Sequence, residues 1–266
     1  MKPLDQLGAN QIKQIDAIFF DIDDTLSLHN KILPQAYKAL WDLKDAGIRL
    51  VPITGRPAGW CDHIARMWPV DCVVGENGSF FFWCDKKTGL FKTYFYDEPS
   101  VRINKRKRLN SIKKEILESI PGAGIASDQS YRESELAIDF CEDVKPLAKN
   151  QIDGICRIFN RHGAAYKVSS IHVNGWFGRY NKLEMTKIMA DHLWGVNLDS
   201  EKNRYAFCGD SPNDEPMFEY FPISIGVNSV LNFEEQLIVK PGFVTKGEGG
   251  IGFSQIADHI LKNRVK

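Results

Sequence analysis

The sequence predicts an α/β protein with a doubly wound parallel-sheet core, interrupted by an inserted α+β domain. Three observations carry this reading. The first third alternates short apolar runs with stretches of helical spacing, the rhythm of β-α-β units joined by right-handed crossovers. That rhythm returns after residue 182, whereas the stretch between runs as helix, two strands, helix, two strands. The first apolar run, Ile18-Phe19-Phe20, also stops abruptly at Asp21-Ile22-Asp23-Asp24. That is where an open parallel sheet binds its ligands, beyond the carboxyl ends of the strands.

Each element follows from its pattern. Ile15 to Phe20 is apolar enough for a strand buried on both faces. Leu33 to Ala46 carries Ala36, Leu40 and Leu43 at helical spacing and closes at Gly47. Ile48 to Ile53 is the next strand, Pro57 to Met67 a helix, and Val70 to Val74 a third core strand running into Glu76-Asn77-Gly78. Phe80 to Trp83 and Phe91 to Tyr96 flank a polar turn, Asp85 to Gly89, as a β-hairpin does. The inserted unit begins with a charged helix, Arg102 to Ser119, and strands at Ala123 to Ala126 and Glu135 to Phe140. It continues with a helix from Leu147 to His162 and strands at Ala164 to Ser169 and Ile171 to Trp176. The core resumes with a helix from Lys182 to Leu193 and strands at Arg204 to Cys208, Pro222 to Val227 and Gly242 to Thr245. A helix from Phe253 to Lys262 closes the chain. The expected division is a core over residues 1–96 and 179–266 and an inserted cap over residues 97–178.

Composition narrows the function classes. The 266 residues include 34 basic and 34 acidic side chains, for a formal net charge of zero. That balance argues against a dedicated nucleic-acid or membrane-surface binder. The six cysteines form no C-x-x-C pair, and several sit in apolar runs, as reduced buried thiols do. Met1 to Gln14 is polar, and the apolar run after it is too short for a signal sequence or a membrane span. The expectation is a cytoplasmic enzyme, monomer or homodimer, with no membrane partner.

Four short pieces carry the chemistry: Asp21-Ile22-Asp23-Asp24-Thr25, Thr54-Gly55-Arg56, Lys182, and Gly209-Asp210-Ser211-Pro212-Asn213-Asp214. Carboxylates as crowded as the first group repel one another unless a cation sits among them, and oxygen ligands favour a hard ion such as Mg²⁺. Together the pieces describe phosphoryl transfer to an aspartate and then to water. Asp21 would be the nucleophile. Mg²⁺ would be held by Asp21, the backbone carbonyl of Asp23, and Asp210. Thr54 and Lys182 would bind the remaining phosphoryl oxygens. Asp23, two residues beyond the nucleophile, would protonate the leaving alcohol and then activate water. Asp214 would hold the metal's water shell or position Lys182.

With these motifs the chain resembles the haloacid dehalogenase superfamily, whose phosphatases share Asp-x-Asp-x-Thr, a Ser or Thr, a Lys and Gly-Asp-x-x-x-Asp. The resemblance implies a Rossmann-like core. The insertion between Thr54 and Lys182 resembles that of the subclass with a large α+β cap. Thr54-Gly55-Arg56, Glu76-Asn77-Gly78 and the Gly209 to Asp214 loop are similar to the branch containing Cof-type, sucrose-phosphate, trehalose-phosphate and mannosyl-3-phosphoglycerate phosphatases. It further implies that Arg56 and Asn213 shape the phosphate end. Leu183 after Lys182, where many relatives have glycine, and Pro52 within a strand depart from the pattern without removing a catalytic group.

The expected activity is hydrolysis of a small phosphorylated metabolite, a sugar phosphate foremost. A phosphomutase of the same fold and a non-catalytic binding protein are the alternatives. Two cap segments, residues 127–134 and 169–176, are rich in groups suited to hydroxyls, and Arg132, Lys167, His172 and Asn174 are expected to face the site. His172 reads equally as a structural histidine. The basic run Arg102, Lys105, Arg106, Lys107 and Arg108 reads as a solvated helix face, with polyanion or nucleic-acid contact as the alternative.

Overall fold

The computed structural model describes residues 1–169 and 171–264; Ser170, in the second of the two cap segments, lies outside them. The chain opens with a short strand β1 (Lys2–Pro3) and a one-turn helix α1 (Ala9–Ile12), then enters β2 (Ala17–Phe20). A hairpin of two-residue strands, β3 (Ser27–Leu28) and β4 (Lys31–Ile32), follows. Next come α2 (Pro34–Asp45), β5 (Arg49–Pro52), α3 (Ala58–Met67), β6 (Val73–Gly75), β7 (Phe80–Cys84) and β8 (Phe91–Phe95). The insertion holds α4 (Pro99–Ser119), β9 (Gly124–Ile125), β10 (Glu135–Asp139), α5 (Lys149–Arg161), β11 (Ala165–Val168) and β12 (His172–Trp176). The core resumes through α6 (Lys182–Trp194), α7 (Leu198–Glu201), β13 (Tyr205–Gly209), α8 (Glu215–Tyr220), β14 (Ile223–Gly226), β15 (Phe243–Val244) and α9 (Gly249–Arg264).

The central sheet has six strands in the order β1-β15-β14-β13-β2-β5, every pair parallel. Strand side chains alternate between two buried faces. Ile18 and Phe20 pack with Leu40, Leu43, Phe253 and Ile256 on one side. Ala17 and Phe19 pack with Met185, Met189, Tyr205 and Phe221 on the other. Helices therefore cover both faces, and this is why β2 reads as an unbroken apolar run. Pro52 sits at the end of β5, and Ile53 beside it donates to Phe20 carbonyl oxygen at 2.8 Å. The missing proline donor therefore points away from β2, toward residues 71–74, where the flanking Leu50 and Thr54 amides donate to Asp71 and Val74.

The third expected core strand turns out differently. Only Ile53 and Val74 form a parallel bridge, and β6 instead pairs antiparallel with β7, which pairs with β8. Phe81, Phe82, Tyr94 and Phe95 make this three-stranded sheet a largely aromatic platform. The insertion forms a separate antiparallel sheet, β11-β12-β10-β9. Helices α4 and α5 close it over a core of Ile112, Ile116, Leu136, Ile138, Ile155 and Phe159. Among the described residues, no helix is long and apolar enough to cross a membrane.

Candidate active site

Strands β2 and β13 lie side by side in the sheet, and the loops that leave their carboxyl ends meet. The Asp21 amide donates to Cys208 carbonyl oxygen at 2.9 Å, extending the ladder by one rung so that its carboxylate emerges at the sheet's rim. Beyond β13, the Asp210 amide donates to Asp214 Oδ2 at 3.1 Å, and Thr25 donates to Asp210 Oδ1 at 2.9 Å. Gly209 permits this fold-back, because a Cβ there would meet Asp214 Oδ2 at 2.4 Å. Carboxylate oxygens of Asp21, Asp210 and Asp214, all buried, lie within 4.8 Å of one another.

Lys182 enters this cluster as the first residue of α6, whose start is capped by the Asn181 side chain accepting from the Glu184 amide at 2.9 Å. Its Nζ donates to Asp21 Oδ1 at 2.9 Å, Asp214 Oδ1 at 3.0 Å and Asn213 Oδ1 at 3.1 Å. One ammonium thus bonds two of the three clustered carboxylates. Burial pushes Asp21 up to about 7 against the pull of Lys182, with Asp214 and Asp23 adding to the rise. Burial, then Asp214 and Asp21, drive Asp210 well above its ordinary range. Burial alone would lower Lys182, but the facing Asp21 and Asp214 raise it, so it keeps its charge. The site is short of positive charge, and hard oxygen donors are what an added divalent cation would meet there.

Asp23 stands beside the cluster with its carboxylate gripped by Arg56. Nε lies at 3.1 and 2.9 Å from the two oxygens, and Nη2 at 2.6 Å from Oδ1. The same guanidinium stacks 4.4 Å over the Trp60 ring. Thr54 is fully buried, and its hydroxyl accepts the Arg56 amide at 3.0 Å. Gly55 and Arg56, not Thr54, form the cavity wall at this point.

The cavity has a volume of about 620 Å³ and lies between the rim of the core sheet and the cap. Asp21, Asp23, Lys182, Asp210 and Asn213 line it from the core; Arg132, Lys167, His172 and Asn174 line it from the cap. The four cap residues differ in what they offer. Arg132 is committed, with its guanidinium donating to both oxygens of Asp128, to Glu135 Oε2 and to the Gly55 carbonyl. Lys167 reaches across to donate to the Asn213 carbonyl oxygen at 3.0 Å, and burial together with Lys182 lowers it to about 8. His172 and Asn174 alternate along β12 and so face the same way. His172 Nε2 lies 2.9 Å from a Glu142 oxygen without an aligned hydrogen bond, and burial lowers its basicity. Asn174 is 8% exposed, and its Oδ1 has no hydrogen-bond partner among the described residues.

Two contributors escape sequence reading. The β3–β4 hairpin brings Leu28, His29 and Asn30 to the cavity mouth; its strands are too short to show any alternation. Glu76 ties core to cap, and its only sequence signal is an acidic residue directly after a buried strand. The basic run on α4 is largely spent on internal contacts. Arg102 and Lys105 pair with Glu133 and Asp97, Arg106 donates to the Arg132 carbonyl at 2.6 Å, and Arg108 lies 3.6 Å over Phe177.

Sheet order, strand-end carboxylates and a lysine from the helix after the insertion build one acidic, lysine-bearing site at the rim of an α/β sheet. Residues 18–105 match the model of haloacid dehalogenase-like hydrolases. Among curated proteins none matches the sequence. Solved structures share the architecture across almost the whole chain. A Thermoplasma acidophilum protein aligns at 18% identity and TM-score 0.70, covering 93% of this chain and 98% of its own. The sucrose-phosphatase of Synechocystis sp. PCC6803, solved with sucrose and phosphate, aligns at 17% identity and TM-score 0.63, covering 93% and 98%. A phosphatase of the haloalkanoate superfamily from Bacteroides thetaiotaomicron aligns at 17% and 0.63, covering 93% and 96%. The chain is thus similar to haloacid dehalogenase-like hydrolases over residues 18–105, and it shares with these structures the fold of an α/β core with an inserted α+β unit.

Proposed function

We propose that the protein is a Mg²⁺-dependent phosphatase that hydrolyses a small phosphorylated metabolite, a sugar phosphate foremost, through a phosphoryl group carried on Asp21. The supporting observation is a trio of buried carboxylates, two of them bonded to one lysine, at the floor of a cavity roofed by the cap. Solved sucrose- and sugar-phosphatase structures with the same fold agree with that reading.

The charge deficit fits a divalent ion. Asp21, Asp210 and Asp214 would hold Mg²⁺, and Asp23 would add its backbone carbonyl. When bound, Mg²⁺ would neutralise charge on the phosphoryl oxygens. The protein's own groups do the rest. Lys182 holds Asp21 in place through a 2.9 Å bond and presents positive charge where the phosphoryl group must sit. A carboxylate oxygen of Asp21 attacks phosphorus, the bond from phosphorus to the alcohol oxygen breaks, and Asp23 gives that oxygen its proton. Asp23 then takes a proton from water, whose oxygen attacks the same phosphorus, releasing phosphate and restoring Asp21. The Arg56 fork suits the charged form of Asp23, the state it holds between those two proton transfers. Residues 97–178 act as the cap, with Lys167, His172 and Asn174 meeting the leaving group and excluding bulk water.

Inorganic phosphate release from a panel of phosphorylated metabolites, with Mg²⁺ and with a chelator, tests this. Turnover should need the metal and vanish in Asp21→Asn with folding retained. Metal-independent release, or full activity in that variant, would remove the proposal's basis.

A further inference from the structure

Glu76 is an acidic residue with no solvent exposure, yet it takes no part in the chemistry above. Its carboxylate accepts four backbone N–H groups: Ala58 at 3.1 Å, Glu133 at 2.8 Å, Ser134 at 2.7 Å and Glu135 at 3.1 Å. The first opens helix α3 just after Arg56. The other three are consecutive amides that lead into β10 of the cap sheet. Glu76 and Asn77 both hold left-handed backbone angles, φ 42° and 52°, which non-glycine residues adopt only when their surroundings fix them.

The same two residues brace the loop that carries Thr54 and Arg56. Three successive carbonyls of that loop are each engaged. Thr54 accepts the Asn77 amide at 3.1 Å, Arg56 accepts the Glu76 amide at 3.1 Å, and Gly55 accepts Arg132 Nη1 at 3.1 Å. The Asn77 side chain donates to Glu135 at 2.8 Å, and Arg132 donates to that residue's other oxygen at 3.1 Å. We propose that Glu76 is a positioning residue: its carboxylate fuses the cap edge to the Thr54–Arg56 loop, so that where the cap sits sets where Thr54 and the Arg56–Asp23 pair sit. Only the kinetic consequence rests on the phosphatase reading.

Glutamine at this position would turn an N–H group toward donors already aimed at it. The test is amide hydrogen exchange on Glu76→Gln and on Arg132→Lys, beside kinetics with p-nitrophenyl phosphate and Mg²⁺. In Glu76→Gln the amides of Glu133 to Glu135 and those of Thr54 and Arg56 should lose protection together, while Phe19 and Phe207 in the central strands keep theirs. Because the aryl ester is too small to use the cap's specificity groups, a fall in kcat of about tenfold or more would report misplacement of the core loop itself. Arg132→Lys keeps the charge but cannot span Gly55 and Glu135 together. It should loosen Thr54 and Arg56, and it decides the matter alone if Glu76→Gln does not fold. Loosening of the cap edge with Thr54, Arg56 and kcat unchanged would overturn the proposal, as would no loosening at all. If the wild-type protein releases no phosphate, the phosphatase reading falls while the exchange pattern still decides the tether.

Discussion

Lys182 brings a single positive charge to a site of three buried carboxylates, where burial first and the neighbouring carboxylates second raise Asp21 and Asp210. Lys167, arriving from the cap, adds a second cation nearby. Burial is the main cause of its drop to about 8, and the charge of Lys182 adds to it. The sign is definite: below pH 8 Lys167 carries its charge and attracts an anionic substrate, and above it the charge is lost. KM for the physiological ester should therefore climb as pH passes 8. Lys167→Met should raise KM severalfold at neutral pH and flatten that climb, and equal KM profiles in the two proteins would count against its role. At this scale the sequence names the groups but not their pairings. Asp23 and Arg56 are 33 positions apart, and only the meeting of two strand-end loops makes them a forked ion pair. Arg132 shows the reverse case. A polar cap loop makes it look free to bind ligand, whereas Asp128, Glu135 and the Gly55 carbonyl take up its donors.

At the scale of elements, the site depends on how tightly the strand-end turns can fold. The β13 turn brings the Asp210 amide onto Asp214 only because Gly209 has no side chain. Gly209→Ala should push Asp214 away from Lys182, cutting kcat by about tenfold or more while leaving the central sheet folded; wild-type kcat in that variant would show that the contact is dispensable. The long strands and helices were legible because their apolar periods are unambiguous: four consecutive buried residues in β2, and Ala36, Leu40 and Leu43 along α2. Several of the shortest elements were not. The β3–β4 hairpin, β1, α1, α7 and α8 are too short for a period to emerge, and tertiary contacts decide them. Val70 to Val74 was legible as a strand, where the structure forms β6 at Val73–Gly75, but not as the start of an aromatic antiparallel sheet, because pairing partners are not written in an apolar run.

For the molecule as a whole, the interrupted core was readable from the return of the β-α rhythm at Lys182. The joint between core and cap was not, since Glu76 and residues 133–135 are linked by one carboxylate across 57 to 59 positions. The basic run on α4 shows the same limit, because its charges look available in sequence and mostly close internal contacts in the fold. The central claim is that the phosphoryl group passes through Asp21, and Asp23→Asn with p-nitrophenyl phosphate tests it most directly. The aryl leaving group departs without a general acid, so Asp21 can still be phosphorylated, while hydrolysis stalls without the base. Peptide mapping of the acid-quenched variant should place the phosphoryl group on the peptide containing Asp21. A phosphoryl group on any other residue, or wild-type turnover by the variant with no phosphorylated enzyme, would contradict the account.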